Sequence, residues 1–118
     1  FRSMSLLENY LRTYRLRAGL SQKEVTALLG CKSSSMISRY ERRVRLPQLQ
    51  TALAYQIILR VPISELFLGA FDQTQRVVAK RVRQMLRKLG AKAGKTVNPR
   101  KLEMLRSILI TSRNRSRS

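Results

Sequence analysis

Two short apolar repeats joined by a turn at Gly30 constrain this chain more than any other feature. The stretch from Ser21 to Arg45 reads SQKEVTALLGCKSSSMISRYERRVR. Ser21 and Glu24 have the spacing of a capping box: the Ser hydroxyl accepts from the Glu24 backbone amide, and the Glu carboxylate reaches back to the Ser21 amide. The helix so opened buries Val25, Leu28 and Leu29 and stops at Gly30, a residue that takes the left-handed conformation without steric cost. Cys31-Lys32 make the turn, and Ser33 caps a second helix to about Arg42. At about 100° per residue, Ile37 and Tyr40 of that helix point inward. Ser35, Ser38, Arg39 and Arg42 point the other way, Ser34 and Arg43 sit on the rims, and Met36 lies at the boundary. The rest of the chain either buries the back of this unit or adds positive charge around it.

The flanking segments supply the burial. Residues 5–18 are predicted as a first helix with Leu7, Tyr10, Leu11 and Tyr14 in one apolar stripe, Arg12 and Arg15 off it, and Gly19 as its stop. Met4 reads as the native start, so the three residues before it are set aside. After a loop at Val44–Pro47, a fourth helix is predicted over roughly Gln48–Leu59, with Leu49, Leu53 and Ile57 inward. Val61-Pro62 breaks it, and Ser64–Phe67 form one further turn whose Leu66 and Phe67 serve as core or dimer contacts.

Charge narrows the class of partner. The chain has 25 Lys and Arg against 6 Asp and Glu, a net charge of +19 in 118 residues. So few carboxylates cannot absorb that excess, which implies a polyanion, either nucleic acid or an anionic membrane surface. With one cysteine, Cys31, and no histidine, an intrachain disulfide, a zinc site, a histidine base and a Ser-His-Asp triad are excluded within the chain. No enzyme, cofactor or metal is expected. The longest apolar runs fall far below a membrane span, and no secretory signal is read.

A helix entering the major groove needs an outward face that is slim near its N-terminus, so that it can approach base edges. Ser33, Ser34 and Ser35 provide one, and Arg39, Arg42, Arg43 and Arg45 cluster beside them. Taken alone, the serines read equally well as a polar capping loop. Leu11-Arg12-Thr13-Tyr14-Arg15, then Gly19-Leu20-Ser21-Gln22-Lys23-Glu24, Leu29-Gly30, Ile37-Ser38-Arg39-Tyr40-Glu41-Arg42, Pro47 and Pro62-Ile63-Ser64-Glu65-Leu66-Phe67 together resemble the phage-repressor and Cro-like family, whose bacterial members are called the xenobiotic-response-element family. The resemblance covers about Leu6–Phe67.

It implies an all-α, five-helix lambda-repressor-like DNA-binding domain over residues 4–70, usually a homodimer on a palindromic operator. It also implies roles: Gln22 supports the recognition helix and touches the phosphate backbone, Ser34, Ser35 and Arg39 read bases, and Lys32, Arg43 and Arg45 lie near phosphates. Ser38 joins the base-reading face and Ser33 and Arg42 the phosphate contacts by their positions on the helix. Two departures stand out. The segment from Gly30 to Ile37 is one residue longer than the commonest spacing, and Arg43 stands where the family usually ends the helix with glycine.

From Phe71 on the composition shifts, and the resemblance stops. Residues 71–118 hold 14 Lys and Arg against Asp72 and Glu103. This basic helical extension, residues 71–110, is predicted as two helices. Asp72 caps one that ends at Gly90, with Val78, Val82, Met85 and Leu89 as an apolar stripe and Arg76, Lys80, Arg83 and Arg87 opposite, as additional phosphate contacts. Ala91–Val97 is a flexible basic linker. Asn98-Pro99 opens the other helix, with Leu102, Leu105, Ile108 and Leu109 apolar, and residues 111–118 are a disordered basic tail. This half could pack as a hairpin at a dimer interface, track phosphates, or form a solvated face. The whole reads as a sequence-specific DNA-binding transcriptional regulator, a repressor of bacterial or phage origin, cytoplasmic and nucleoid-associated, with double-stranded DNA as partner. The competing reading is an antitoxin-like or adaptor protein whose basic C-terminal half binds a protein or RNA; a membrane-surface role for residues 72–89 is the weakest.

Overall fold

The Ser21–Glu24 capping box forms as its spacing predicts. The Glu24 amide donates to Ser21 Oγ at 3.0 Å, and the Ser21 amide donates to Glu24 Oε1 at 2.9 Å. In this computed structural model, which describes residues 5–91 and 96–117, every regular element among the described residues is a helix. In chain order they are α1 (Leu11–Arg17), α2 (Gln22–Leu29), α3 (Ser35–Glu41), α4 (Leu49–Leu59), α5 (Ile63–Leu66), α6 (Leu68–Ala91) and α7 (Pro99–Arg117). They fall into two compact units, one reaching Gln73 and the other starting at Thr74. The expected start at Met4 and most of the expected linker, residues 92–95, lie outside the described residues.

The first unit closes around Tyr55, Leu11, Ile37, Leu66 and Val25, all fully buried, with Tyr40, Ala52, Leu59 and Phe67 completing the cluster. Tyr55 is the hub: its ring meets Tyr40 edge-on at 6.4 Å and Phe67 edge-on at 6.2 Å, the geometry that aromatic quadrupoles favour. Burial pushes the Tyr55 phenol well above its ordinary range.

Several expectations are corrected here. α1 starts at Leu11, not at residue 5, because residues 5–10 are drawn across the far end of the unit. The Tyr10 amide donates to the Leu66 carbonyl at 2.9 Å, and the Gly69 amide donates to the Glu8 carbonyl at 3.0 Å. Leu28, expected inward, is 58% exposed, and Thr26 is buried in its place. On α4 the expected face is the wrong one. Leu49 (70% exposed), Leu53 and Ile57 (76%) face outward, and Ala52, Tyr55 and Leu59 face the core. The helix LQTALAYQIIL is apolar around most of its circumference, so periodicity alone gives it no phase.

α6 begins at Leu68, within the first unit, and runs on into the second, so Asp72 lies inside the helix rather than capping it, and the helix passes through Gly90. Ala79 and Val82 are its buried residues and Leu86 and Leu89 are half-buried; Val78 and Met85, expected on that seam, are exposed. The Asn98 side chain accepts from the Arg100 amide at 2.9 Å, as a cap should. α7 continues to Arg117, where an unstructured tail was expected. Its Thr111 hydroxyl donates to the Ser107 carbonyl one turn back at 3.0 Å, and the arginines beyond are good helix formers.

Candidate DNA-recognition surface

Three helix ends set the geometry of the surface, each closed by a residue in the left-handed conformation. Gly19 and Gly30 end α1 and α2 with φ of 75° and 74°, and Arg43 follows α3 with φ of 64°. After α3 the Arg43 amide donates to the Tyr40 carbonyl at 3.1 Å and the Val44 amide to the Arg39 carbonyl at 3.0 Å, the paired bonds of a Schellman ending. Arg43 thus adopts the conformation for which glycine is the usual residue, and its guanidinium reaches the Asn9 carbonyl at 3.5 Å.

α3 begins at Ser35. Ser34, not Ser33, holds the capping position, without a side-chain cap bond. Instead Ser33 and Ser35 pair through their hydroxyls at 2.8 Å, and the Ser34 hydroxyl pairs with Thr26 Oγ1 at 3.1 Å. Thr26 Oγ1 also lies 2.7 Å from the Gln22 carbonyl. Ile37 and Tyr40 are buried, as predicted; Ser35, Arg39 and Arg42 are exposed and Ser38 half-buried. Those four span roughly 100° of helix circumference, about half a turn from Ile37 and Tyr40. Arg42 Nε donates to Ser38 Oγ at 3.1 Å, while Arg39 has no side-chain hydrogen bond among the described residues. Lys32, Ser33, Arg43 and Arg45 are exposed around the same face.

What holds α3 in place is a set of buried polar residues that the periodicity does not reveal: Asn9, Arg15, Thr26 and Glu41. Asn9 Nδ2 donates to the Tyr40 carbonyl at 2.9 Å, and Asn9 Oδ1 accepts from the Leu11 amide at 3.0 Å. Arg15 grips Glu41 with two donors, Nε to Oε2 at 2.6 Å and Nη2 to Oε1 at 3.1 Å, and its Nη1 donates to the Leu20 carbonyl at 2.8 Å. The bond to Glu41 is the main reason the Arg15 pKa is raised above its ordinary value. Gln22 Nε2 donates to Glu41 Oε1 at 3.1 Å. Gln22 therefore ties α2 to the C-terminal end of α3.

Arg15 is a correction, since it was placed off the buried stripe. Its position four residues after Leu11 is the signal that could have found it. Glu41 has one too: it is the only acidic residue between Val25 and Ser64. Among the described residues, no group of three or more His, Cys, Asp or Glu side chains could hold a metal ion, and no helix is long and apolar enough to cross a membrane.

The surface is thus a short helix with a serine-and-arginine outer face, pinned at its start by Thr26 and at its end by Asn9, Arg15 and Gln22. The preceding helix lies against it across a five-residue turn, Gly30–Ser34. No curated protein matches the chain. Residues 11–66 match the helix-turn-helix family model, which spans α1 to α5 and contains every tie to α3 except the one from Asn9. Over that segment, just under half of the chain, the protein carries a helix-turn-helix domain of the Cro/C1 type, the mark of a DNA-binding regulator.

Proposed function

We propose that this regulator is a sequence-specific repressor whose α3 enters the major groove of its operator. The observation that supports this most directly is the division of α3: Ile37 and Tyr40 are locked in the core while Ser35 and Arg39 project outward without bulky neighbours between them. Ser35 and Arg39 read base edges, with Ser38 beside them on the same face and Ser34 at its rim, where its hydroxyl is paired with Thr26. Arg39 is long enough to donate two hydrogen bonds to one guanine. Gln22, Lys32, Ser33, Arg42, Arg43 and Arg45 fix the register on phosphates. The protein acts by binding rather than catalysis, in the cytoplasm beside the nucleoid, and without a cofactor.

A homodimer on a palindromic site completes the reading. It is supported by the outward row Leu49, Leu53 and Ile57 on α4, which exposes aliphatic surface at i, i+4 and i+8. Three side chains are few against the roughly 20–30 residues a side of a standard interface. Self-association is therefore weak without DNA and is completed on it. Selection of binding sites from random duplexes at moderate salt tests both points: a palindromic consensus is expected, and no enrichment overturns the reading. Arg39→Ala is expected to weaken operator binding by about 1–3 kcal/mol while sparing random duplex; equal losses on both would reduce Arg39 to a backbone contact.

A further inference from the structure

The second unit carries a charge pattern that the helix-turn-helix does not need. Residues 73–102 contain ten Lys and Arg and no Asp or Glu. On α6 the covered side follows Gln75, Ala79, Val82, Leu86 and Leu89, with Ala79 and Val82 buried and the others half-buried. Arg76, Lys80, Arg83 and Arg87 each follow one of these seam residues by a single position, and all four are exposed. They fall within roughly 60° of one another, and about 110° round from the seam rather than opposite it. The row is roughly 16 Å long at about 1.5 Å per residue.

Positions beside a packing seam are where helices ordinarily set opposite charges against each other. Here the only carboxylates of the second half are Asp72 and Glu103, which bracket the acid-free stretch. Arg76 has an interaction within the chain. Lys80, Arg83 and Arg87 make no ion pair among the described residues. Like charges three and four residues apart destabilise a helix, so the spacing works against α6 unless an anion lies along it.

We propose that this face of α6 is a second, sequence-independent binding site for the phosphate backbone of duplex DNA, carried by Lys80, Arg83 and Arg87 with Arg76 at its start. Duplex DNA presents one charge for about every 1.7 Å of its axis, dense enough to engage the whole row at once. A membrane surface fits less well, because α6 carries no aromatic residue beyond Phe71 to enter the interface. The site shares no residue with α3 and does not depend on which residues read bases.

The test is binding of the full chain to a random-sequence duplex across a series of salt concentrations, comparing the wild type with Lys80→Gln/Arg83→Gln/Arg87→Gln. Because random duplex measures only the sequence-independent part, the result stands whether or not an operator exists. Each phosphate contact contributes about 0.9 to the slope of log K against log salt. The triple variant is therefore expected to flatten the slope by about 2.7 and to bind at least tenfold more weakly at the lowest salt. Its melting temperature should be unchanged or higher, since repulsion is relieved. The charge-keeping variant Arg83→Lys/Arg87→Lys should keep the wild-type slope. An unchanged slope in the triple variant overturns the proposal. So does a loss of binding to anionic phospholipid vesicles without a loss on duplex, which would assign the face to a membrane.

Discussion

Replacing Glu41 should cost this domain heavily, because its carboxylate is shared by two helices that hold α3. The Arg15 and Glu41 side chains are only 8% and 2% exposed, so the 0–1 kcal/mol typical of surface ion pairs does not apply. Glu41→Leu removes both Arg15 bonds and the Gln22 bond, leaving the buried guanidinium with the Leu20 carbonyl alone. Breaking one side of such a pair costs about 3–5 kcal/mol, a large share of the roughly 5–15 kcal/mol that stabilises a small domain. At about 4–8 °C per kcal/mol for a domain of this size, the melting temperature should fall by at least about 12 °C.

The assay can be confined to the first unit. The chain has no tryptophan, and its four tyrosines, at positions 10, 14, 40 and 55, all precede Thr74, so tyrosine fluorescence during urea unfolding follows that unit alone. The cycle closes with Arg15→Met and the double variant Arg15→Met/Glu41→Leu. An apolar pair of similar volume removes the unpaired charge, so the double variant should be more stable than Glu41→Leu alone, with a coupling of about 2–3 kcal/mol. A loss below about 1 kcal/mol for Glu41→Leu, or strict additivity of the two single changes, would refute the assignment of this pair as the anchor of α3.

Three further outcomes follow from single positions. A methyl group on Gly69 would run into the Ser5 carbonyl and the Glu8 backbone, so Gly69→Ala should destabilise the first unit by about 1–3 kcal/mol, against the usual helical advantage of alanine; a stabilised variant in urea unfolding would refute the close approach. Arg43→Gly relieves a left-handed side-chain residue and should stabilise the first unit by about 1 kcal/mol while weakening DNA binding through the lost cation, a divergence readable by unfolding and duplex titration in parallel. The Ser21 backbone and side chain hold the Glu24 carboxyl below its ordinary value of 4.5. Its folded pKa is thus depressed: the contribution is present above the unfolded value and is lost as the pH falls through the folded one. Glu24→Gln should therefore flatten the acid side of the stability profile below about pH 4.5, and an unchanged profile in acid titration of thermal stability would remove Glu24 from it.

What the sequence determined by itself was set within a few residues of each signal. The Ser21–Glu24 box, the stops at Gly19 and Gly30, and the opposed faces of Ile37/Tyr40 and Ser35/Arg39 all depend on neighbours one helical turn away or less. The anomaly at Arg43 was legible in the same way, because a Schellman ending demands a left-handed residue there whatever its side chain. The tertiary structure decided everything that needed a partner from far along the chain. Which side of α4 is buried is settled by packing against Tyr40 and Phe67, since its own pattern is apolar on nearly every side. Where α1 begins is settled by the Tyr10–Leu66 and Gly69–Glu8 bonds. Arg15 and Glu41, 26 positions apart, are each unremarkable charged residues until the fold removes both from water. Only then does their pairing become a condition for α3 to stand where it does, because a buried charge must find its counter-charge or cost the fold its stability.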